Sequence, residues 1–236
     1  MFKVLHTKKQ IIASRDEMKV KGRSALGGWP LNFMRRLGIS RRLPVGDVVK
    51  SWDVAQTLDF IDENLPREAK ILDLGSYCSE VPVSLVQMGY KNVGGVDLNP
   101  DVKKMPYADK ATYTVSDFMK MPFSSDSFDA VTAISVIEHG YEPERLFAEL
   151  GRVIRPGGYF IASFDYWPEK IDTKNTRFFD MSWLIFSEKD VYSMIEIAKC
   201  YGFDPVGELH PSSSEHVINC MGYDYSFGWL VLKKHN

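Results

Sequence analysis

From residue 70 onward the chain alternates short apolar runs with segments of helical period, and that rhythm limits what it can fold into more than any other feature. KILDL (70–74), VGGVDL (93–98), ATYTV (111–115), FDAVTAIS (128–135) and GYFIAS (158–163) are mostly rich in β-branched or aromatic residues, and each is bounded by turn signals or a helical pattern. Before them, Val48, Trp52, Ala55, Leu58, Ile61 and Leu65 recur at steps of three or four, which predicts a helix that Asp47 can cap. EVPVSLVQMG follows the first run and EPERLFAELGRVI the fourth. In the latter, Leu146, Leu150, Val153 and Ile154 form the apolar face and RPGG reads as the closing turn. SEKDVYSMIEIAKCYGF supplies a further helix, opened by Ser187 with Asp190 three residues later and closed by Gly202. FDPVGELH and SFGWLVLKK come last with no full helix between them, so the sheet is expected to end antiparallel. Strands alternating with helices give a parallel sheet covered on both faces.

The expected fold class is therefore α/β: a Rossmann-like, doubly wound sheet of about seven strands, mostly parallel with an antiparallel C-terminal strand. At 236 residues the chain suffices for one packed domain with a small appendage. Residues 1–50 carry twelve Lys/Arg against three Asp/Glu, a balance of +9, and the remainder balances at −11. This asymmetry predicts a basic helical or irregular N-terminal extension over 1–47 and a main domain over 48–236. RRLGISRRL (35–43) is the densest basic stretch, either a surface for an anionic partner or a solvated face packed on the acidic body. No apolar run approaches membrane-spanning length, and Cys78, Cys200 and Cys220 form no CxxC pair, so a reducing cytoplasm is expected, with no metal site.

Open parallel sheets bind ligands where the strands end, so the residues closing each strand are the candidates. They are Asp73, Gly75 and Ser76 after the first run, Asp97 after the second, Asp117 and Phe118 after the third, Ser135 to His139 after the fourth, and Asp165, Tyr166 and Trp167 after the fifth. Asp97 lies twenty-two residues beyond Gly75, the separation at which an acid reaches the two hydroxyls of a bound ribose. The alternative is a strand-end turn, DLNP, whose carboxylate bonds backbone amides. A dinucleotide fits poorly, because the loop ILDLGSYCSEVP has one glycine and places Tyr77 and Ser79 or Glu80 where a pyrophosphate needs close backbone approach. An adenosine with a cationic or zwitterionic tail, such as S-adenosylmethionine, meets no such conflict.

ILDLG, GGVDLNP and YTVSDFMKMPFSSDSFDAVTAISVIEHGYEPERLFAELGRVIRPGGYFIAS together resemble the core of the class I S-adenosylmethionine-dependent methyltransferases, the broad type-11 branch, over about residues 48–236. The resemblance implies S-adenosylmethionine as cofactor, with Gly75 and Ser76 beside its methionine part, Asp97 on ribose, Asp117 on the adenine amine and Phe118 on the ring. Asp73, Leu98 and Ser135 complete the implied cofactor set. A plain core role is the alternative for Phe118. Tyr77, where the family usually has glycine, departs from the pattern.

Methyl transfer needs positioning, exclusion of water and, for a hydroxyl acceptor, a base. His139 is the first candidate base, with a cap or packing role as its alternative, and Asp165 is the second. The aromatic-rich stretch 165–186 is a candidate acceptor pocket, with Tyr166, Trp167 and, farther along, His210 as substrate contacts. GGWPLNF (27–33) is a candidate cover. The expected function is methyl transfer to a hydroxyl or amine of a small molecule such as a sugar, nucleotide sugar or secondary metabolite, with an anionic or sugar-like acceptor. The alternatives are an RNA or protein methyltransferase guided by the basic arm, disfavoured by the overall negative charge, or a non-catalytic cofactor-binding module.

Overall fold

The change of hydrophobic period falls where the sequence puts it, and each apolar strand residue finds a covered face. The structure is a computed structural model that describes residues 1–26, 43–178 and 180–235. GGWPLNF, Phe179 and all of RRLGISRRL except Leu43 lie outside the described residues.

Strand β1 (Phe2–Val4) and helix α1 (Lys8–Val20) come first. A short 3-10 turn, Val48–Lys50, is capped by Asp47 accepting from the Val49 amide at 3.0 Å, and it leads into α2 (Ser51–Asn64). Then follow β2 (Lys70–Leu74), α3 (Val81–Gln87), β3 (Asn92–Asp97), β4 (Ala111–Val115), β5 (Phe128–Ile134), α4 (Pro143–Val153) and β6 (Ile154–Tyr166). A two-stranded hairpin, β7 (Arg177–Phe178) with β8 (Met181–Ser182), precedes α5 (Glu188–Cys200), and β9 (Phe203–Pro205), β10 (Ile218–Cys220) and β11 (Tyr223–Lys234) close the chain.

The main sheet runs β1-β11-β6-β5-β2-β3-β4, with β9 and β10 both pairing with β11. Strands β4, β3, β2, β5 and β6 are mutually parallel, and β11 is antiparallel to β6, as expected from the missing late crossover helix. Alternation along each strand divides the core. Ile71, Ala130 and Ile161 face the layer holding α1, α2 and α3, while Leu72, Val131 and Phe160 face α4 and α5. Both faces are covered, as a parallel sheet requires.

Two details differ from the sequence reading. RPGG is no separate turn: it lies within the start of β6, where the register against β5 shifts between Phe128 and Ala130. Such an irregularity is where a strand tolerates Pro156. The first residues, in turn, are part of the sheet. β1 pairs with β11, Phe2 exchanges backbone hydrogen bonds with Glu208 and His210, and the terminal amine donates to the Val231 carbonyl at 3.1 Å. Burial lowers the pKa of that amine to about 5.

Candidate functional site

The parallel strands deliver their closing residues to one rim in the order Asp117, Asp97, Gly75, Ser135, Asp165, following β4, β3, β2, β5 and β6. Gly75 turns the chain out of β2 with φ +66°, and a Cβ there would lie 2.4 Å from Val136 Cγ2. The loop beyond it is fastened on every side. Ser76 donates its amide to the Val96 carbonyl at 3.0 Å and its hydroxyl to the Asp73 carbonyl at 2.7 Å, and the Tyr77 amide donates to Asp97 Oδ2 at 2.9 Å. Asp97 Oδ1 accepts the Asn99 amide at 2.8 Å. The strand-end turn considered from the sequence is thus present, yet each carboxylate oxygen holds only one backbone amide and keeps an acceptor lobe.

Asp73 is fully buried beneath this loop, accepting from Thr132 Oγ1 at 2.6 Å and Ser76 Oγ at 3.1 Å, and it meets the rim through Ser76. Burial pushes its carboxyl up to about 6. Leu98 stands 60% exposed beside Asp97, an apolar platform at the strand end. Asp117 is exposed, accepts the Met119 amide at 2.8 Å and lies 3.8 Å from Arg145. Phe118 is half-buried against the α4 side of the core. Glu80, at a position where a dinucleotide loop approaches the pyrophosphate, is buried and turned to α1, where Arg15 holds both its oxygens.

Around Ser135 and Asp165 lies a group of charges of which the sequence reading missed Lys50 and Asp53. Lys50 donates to Ser135 Oγ, lies 3.8 Å from Asp165 Oδ1 and sits 3.5 Å above the Phe227 ring. Asp165 Oδ2 accepts the Trp183 indole at 2.8 Å, and Asp53 accepts the Ser163 hydroxyl at 2.8 Å. Asp53 and Glu138 are fully buried, and among the described residues Asp53 Oδ1 and Glu138 Oε2 have no hydrogen-bond partner. Burial raises both carboxyls, Asp53 to about 6 and Glu138 well above its usual value, with Asp165 adding to the latter. His139 is half-buried with its ring 5.5 Å from Phe178, and burial lowers its pKa, which keeps the imidazole neutral at pH 7. The hairpin β7–β8 and the stretch to Phe186 close over this group through Trp183, which bridges His139, and Leu184, which donates its amide to Glu138.

Of the predicted acceptor contacts, Trp167 stacks on His216 at 3.6 Å between ring centres. Tyr166 is fully buried on the opposite face of β6 from Asp165, its ring against Phe2 and its hydroxyl donating to the Pro211 carbonyl at 2.6 Å. His210 is exposed beside β1, 3.3 Å from Glu208. The structure therefore joins Asp165, His139 and Ser135, and leaves Tyr166 and His210 away from them. Among the described residues no group of His, Cys, Asp and Glu is placed to hold a metal ion, and no helix is long and apolar enough to cross a membrane.

Asp53 gives a test of this electrostatic picture. Its carboxyl is raised from 3.8 to about 6 on folding, so its contribution to stability is full below pH 4 and is lost as pH rises through 6. Between pH 4 and pH 8, the unfolding free energy of Asp53→Asn relative to wild type is expected to rise by about 2–3 kcal/mol. Urea denaturation at the two pH values measures this, and an unchanged difference would contradict a buried, poorly compensated carboxyl.

The parallel sheet thus ends in an acidic, glycine-turned rim, the edge at which open α/β sheets bind ligands. Comparison with known proteins carries this further: residues 72–162 match the methyltransferase domain family. A sterol 24-C-methyltransferase of Gibberella zeae is 34% identical over 99 residues, which cover 39% of this chain and 26% of that protein's length. Among solved structures, an S-adenosylmethionine-dependent methyltransferase from Methanosarcina mazei superposes with a TM-score of 0.55 at 17% identity, covering 75% of this chain and 97% of that one. The [4+2]-cyclase SpnF superposes with a TM-score of 0.57 at 16% identity, covering 77% and 81%. The chain has the fold of the S-adenosylmethionine-dependent methyltransferases, and the methyltransferase-domain match falls on its residues 72–162, the strands that form the rim.

Proposed function

We propose that this protein binds S-adenosylmethionine along the rim and methylates a neutral nucleophile on a small molecule with an apolar, ring-sized body. The observation that carries the reading is Asp97, a carboxylate fixed by the Tyr77 and Asn99 amides with one acceptor lobe open on each oxygen. The donor set suits the cofactor: Asp97 and Asp117 accept from hydroxyls and an amine, Leu98 and Phe118 offer apolar surface, and Gly75 with Ser76 supplies a tight turn for the methionine part. When bound, the cofactor supplies a methyl group on a sulfonium. The protein's part is to orient the acceptor, exclude water and take up a proton where the acceptor is a hydroxyl. His139, kept neutral by burial, is the proton acceptor in this reading, and the charge of Asp165, itself held by Trp183, favours the imidazolium.

Two features favour a neutral, apolar acceptor over an anionic or sugar-like one. Asp53 and Asp165 outnumber Lys50, so an anion would meet repulsion. The covering side chains Phe178, Trp183, Tyr223 and Tyr225 are aromatic and packed edge to face. The relative from Gibberella zeae, named for a sterol substrate, agrees with such an acceptor. The described part of the basic arm favours intramolecular packing over RNA: Lys21 and Arg23 pair with Asp59 at 3.0 and 2.6 Å, and Arg23 also pairs with Asp62.

The test combines titration with S-adenosylhomocysteine and transfer of labelled methyl to a panel holding a hydroxylated or unsaturated polycyclic lipid, an amine, a sugar phosphate and an RNA. Micromolar binding with transfer to a neutral small molecule is expected. Absence of binding overturns the cofactor assignment, and transfer only to the RNA or the sugar phosphate overturns the acceptor class.

A further inference from the structure

The cofactor loop has lost the glycines that let such loops shape themselves, and its geometry nevertheless holds. Cys78 adopts φ +62°, a left-handed conformation that costs a non-glycine residue about 1–3 kcal/mol and persists only where the surroundings impose it. What imposes it comes largely from the N-terminal segment. Arg15, on α1, points into the protein with a side chain 4% exposed and uses all five of its donors. Nη1 donates to Glu80 Oε1 at 2.6 Å and Ser24 Oγ at 2.9 Å; Nη2 donates to Glu80 Oε2 at 2.8 Å and the Asp47 carbonyl at 3.4 Å; Nε donates to Ser51 Oγ at 2.9 Å. Glu80 Oε1 also accepts the Ala25 amide at 2.8 Å. Glu80 is the residue that ends the loop and opens α3.

A second contact acts on the middle of the same loop. The Gly46 amide donates to the Cys78 carbonyl at 2.8 Å. Gly46 has φ +76°, and a Cβ there would lie 2.8 Å from Glu80 Oε2, so the segment before α2 can press this closely only with glycine. The loop is therefore clamped from outside at Cys78 and at Glu80, and from inside by Asp97 and Val96.

We propose that Arg15 is a positioning residue for the cofactor loop: through its two-pronged bond to Glu80, with Gly46 on Cys78, the N-terminal segment sets the loop geometry that glycines set elsewhere, so cofactor affinity depends on that segment being seated. The inference rests on the rim being the S-adenosylmethionine site. A fork-shaped guanidinium is required, because a lysine keeps the charge but cannot hold both carboxylate oxygens while bonding Ser24, Ser51 and the Asp47 carbonyl.

The experiment measures S-adenosylhomocysteine affinity by calorimetry well below the melting temperature for wild type, Arg15→Lys and Glu80→Gln, with circular dichroism to establish folding. Alongside it, hydrogen exchange is followed in the wild-type protein with and without saturating S-adenosylhomocysteine. Both variants are expected to bind at least tenfold more weakly while folded, and the ligand is expected to slow exchange in residues 8–26 as well as in 75–80. Folded variants with affinity within twofold of wild type overturn the proposal. If neither variant folds, unchanged exchange over 8–26 on ligand binding overturns it. A wild-type protein that does not bind S-adenosylhomocysteine overturns the cofactor reading instead, a separate result.

Discussion

Replacing Asp97 with alanine is expected to weaken S-adenosylhomocysteine binding by at least two orders of magnitude. The side chain stands at the end of β3 with Oδ1 on the Asn99 amide and Oδ2 on the Tyr77 amide. In the proposed complex each oxygen also takes one ribose hydroxyl. Hydrogen bonds to a charged group contribute about 1.5–3 kcal/mol each, so losing two removes about 3–6 kcal/mol, or about 10²- to 10⁴-fold in affinity. Alanine also deprives the Tyr77 amide of its acceptor and loosens the loop. Asp97→Asn retains one carbonyl acceptor without the charge and is expected to lose about ten- to a hundredfold. Asp117→Ala provides the contrast. That carboxylate is exposed and 3.8 Å from Arg145, so its bond to an adenine amine competes with water and with the guanidinium, and less than a tenfold loss is expected. Calorimetric titration of the three variants gives the ranking. Equal affinities for Asp97→Ala and wild type would place the ribose elsewhere.

The rim was legible from the sequence because strand ends are local features: an apolar run stops, and the next polar residues must lie at the sheet edge. Gly75, Asp97 and Ser135 were found on that basis, and the antiparallel ending followed from the missing crossover helix. Periodicity could not reveal pairs distant in the chain. Arg15 meets Glu80 across sixty-five residues and Asp53 meets Ser163 across one hundred and ten, and neither partner's surroundings mark it. Tyr166 shows a different limit. The sequence reading grouped it with Asp165 as residues following strand five, but β6 runs through Tyr166, and within a strand neighbours point to opposite faces. One residue of strand length decides whether that ring lines a pocket or packs on Phe2. β1 was hidden because three residues before a helix carry too little pattern, and its register is set by partners more than two hundred residues away, β11 and the stretch 208–210.

Gly75→Ala is expected to destabilise the fold by about 2–5 kcal/mol, through two separable causes. The left-handed φ of +66° costs an L-residue about 1–2 kcal/mol, and the added methyl lies 2.4 and 3.1 Å from the two γ-carbons of Val136, an overpacking that costs about 1–3 kcal/mol. The causes respond differently to a second change. Val136→Ala removes both γ-carbons and leaves the valine Cβ position at 3.3 Å, tight but tolerable, so Gly75→Ala/Val136→Ala should recover the steric part and retain the backbone part. Urea denaturation of the two single variants and the double variant is then expected to give a coupling energy of about 1–3 kcal/mol in the favourable direction. Additive effects would mean that the loop moves aside instead of meeting Val136, and that the turn after β2 is softer than its fastenings to Val96, Asp97 and Gly46 imply. Cofactor affinity separates from stability in the same variants. The double variant, even when folded, keeps a strained turn at the residue that presents Ser76, so its binding is expected to recover less than its stability.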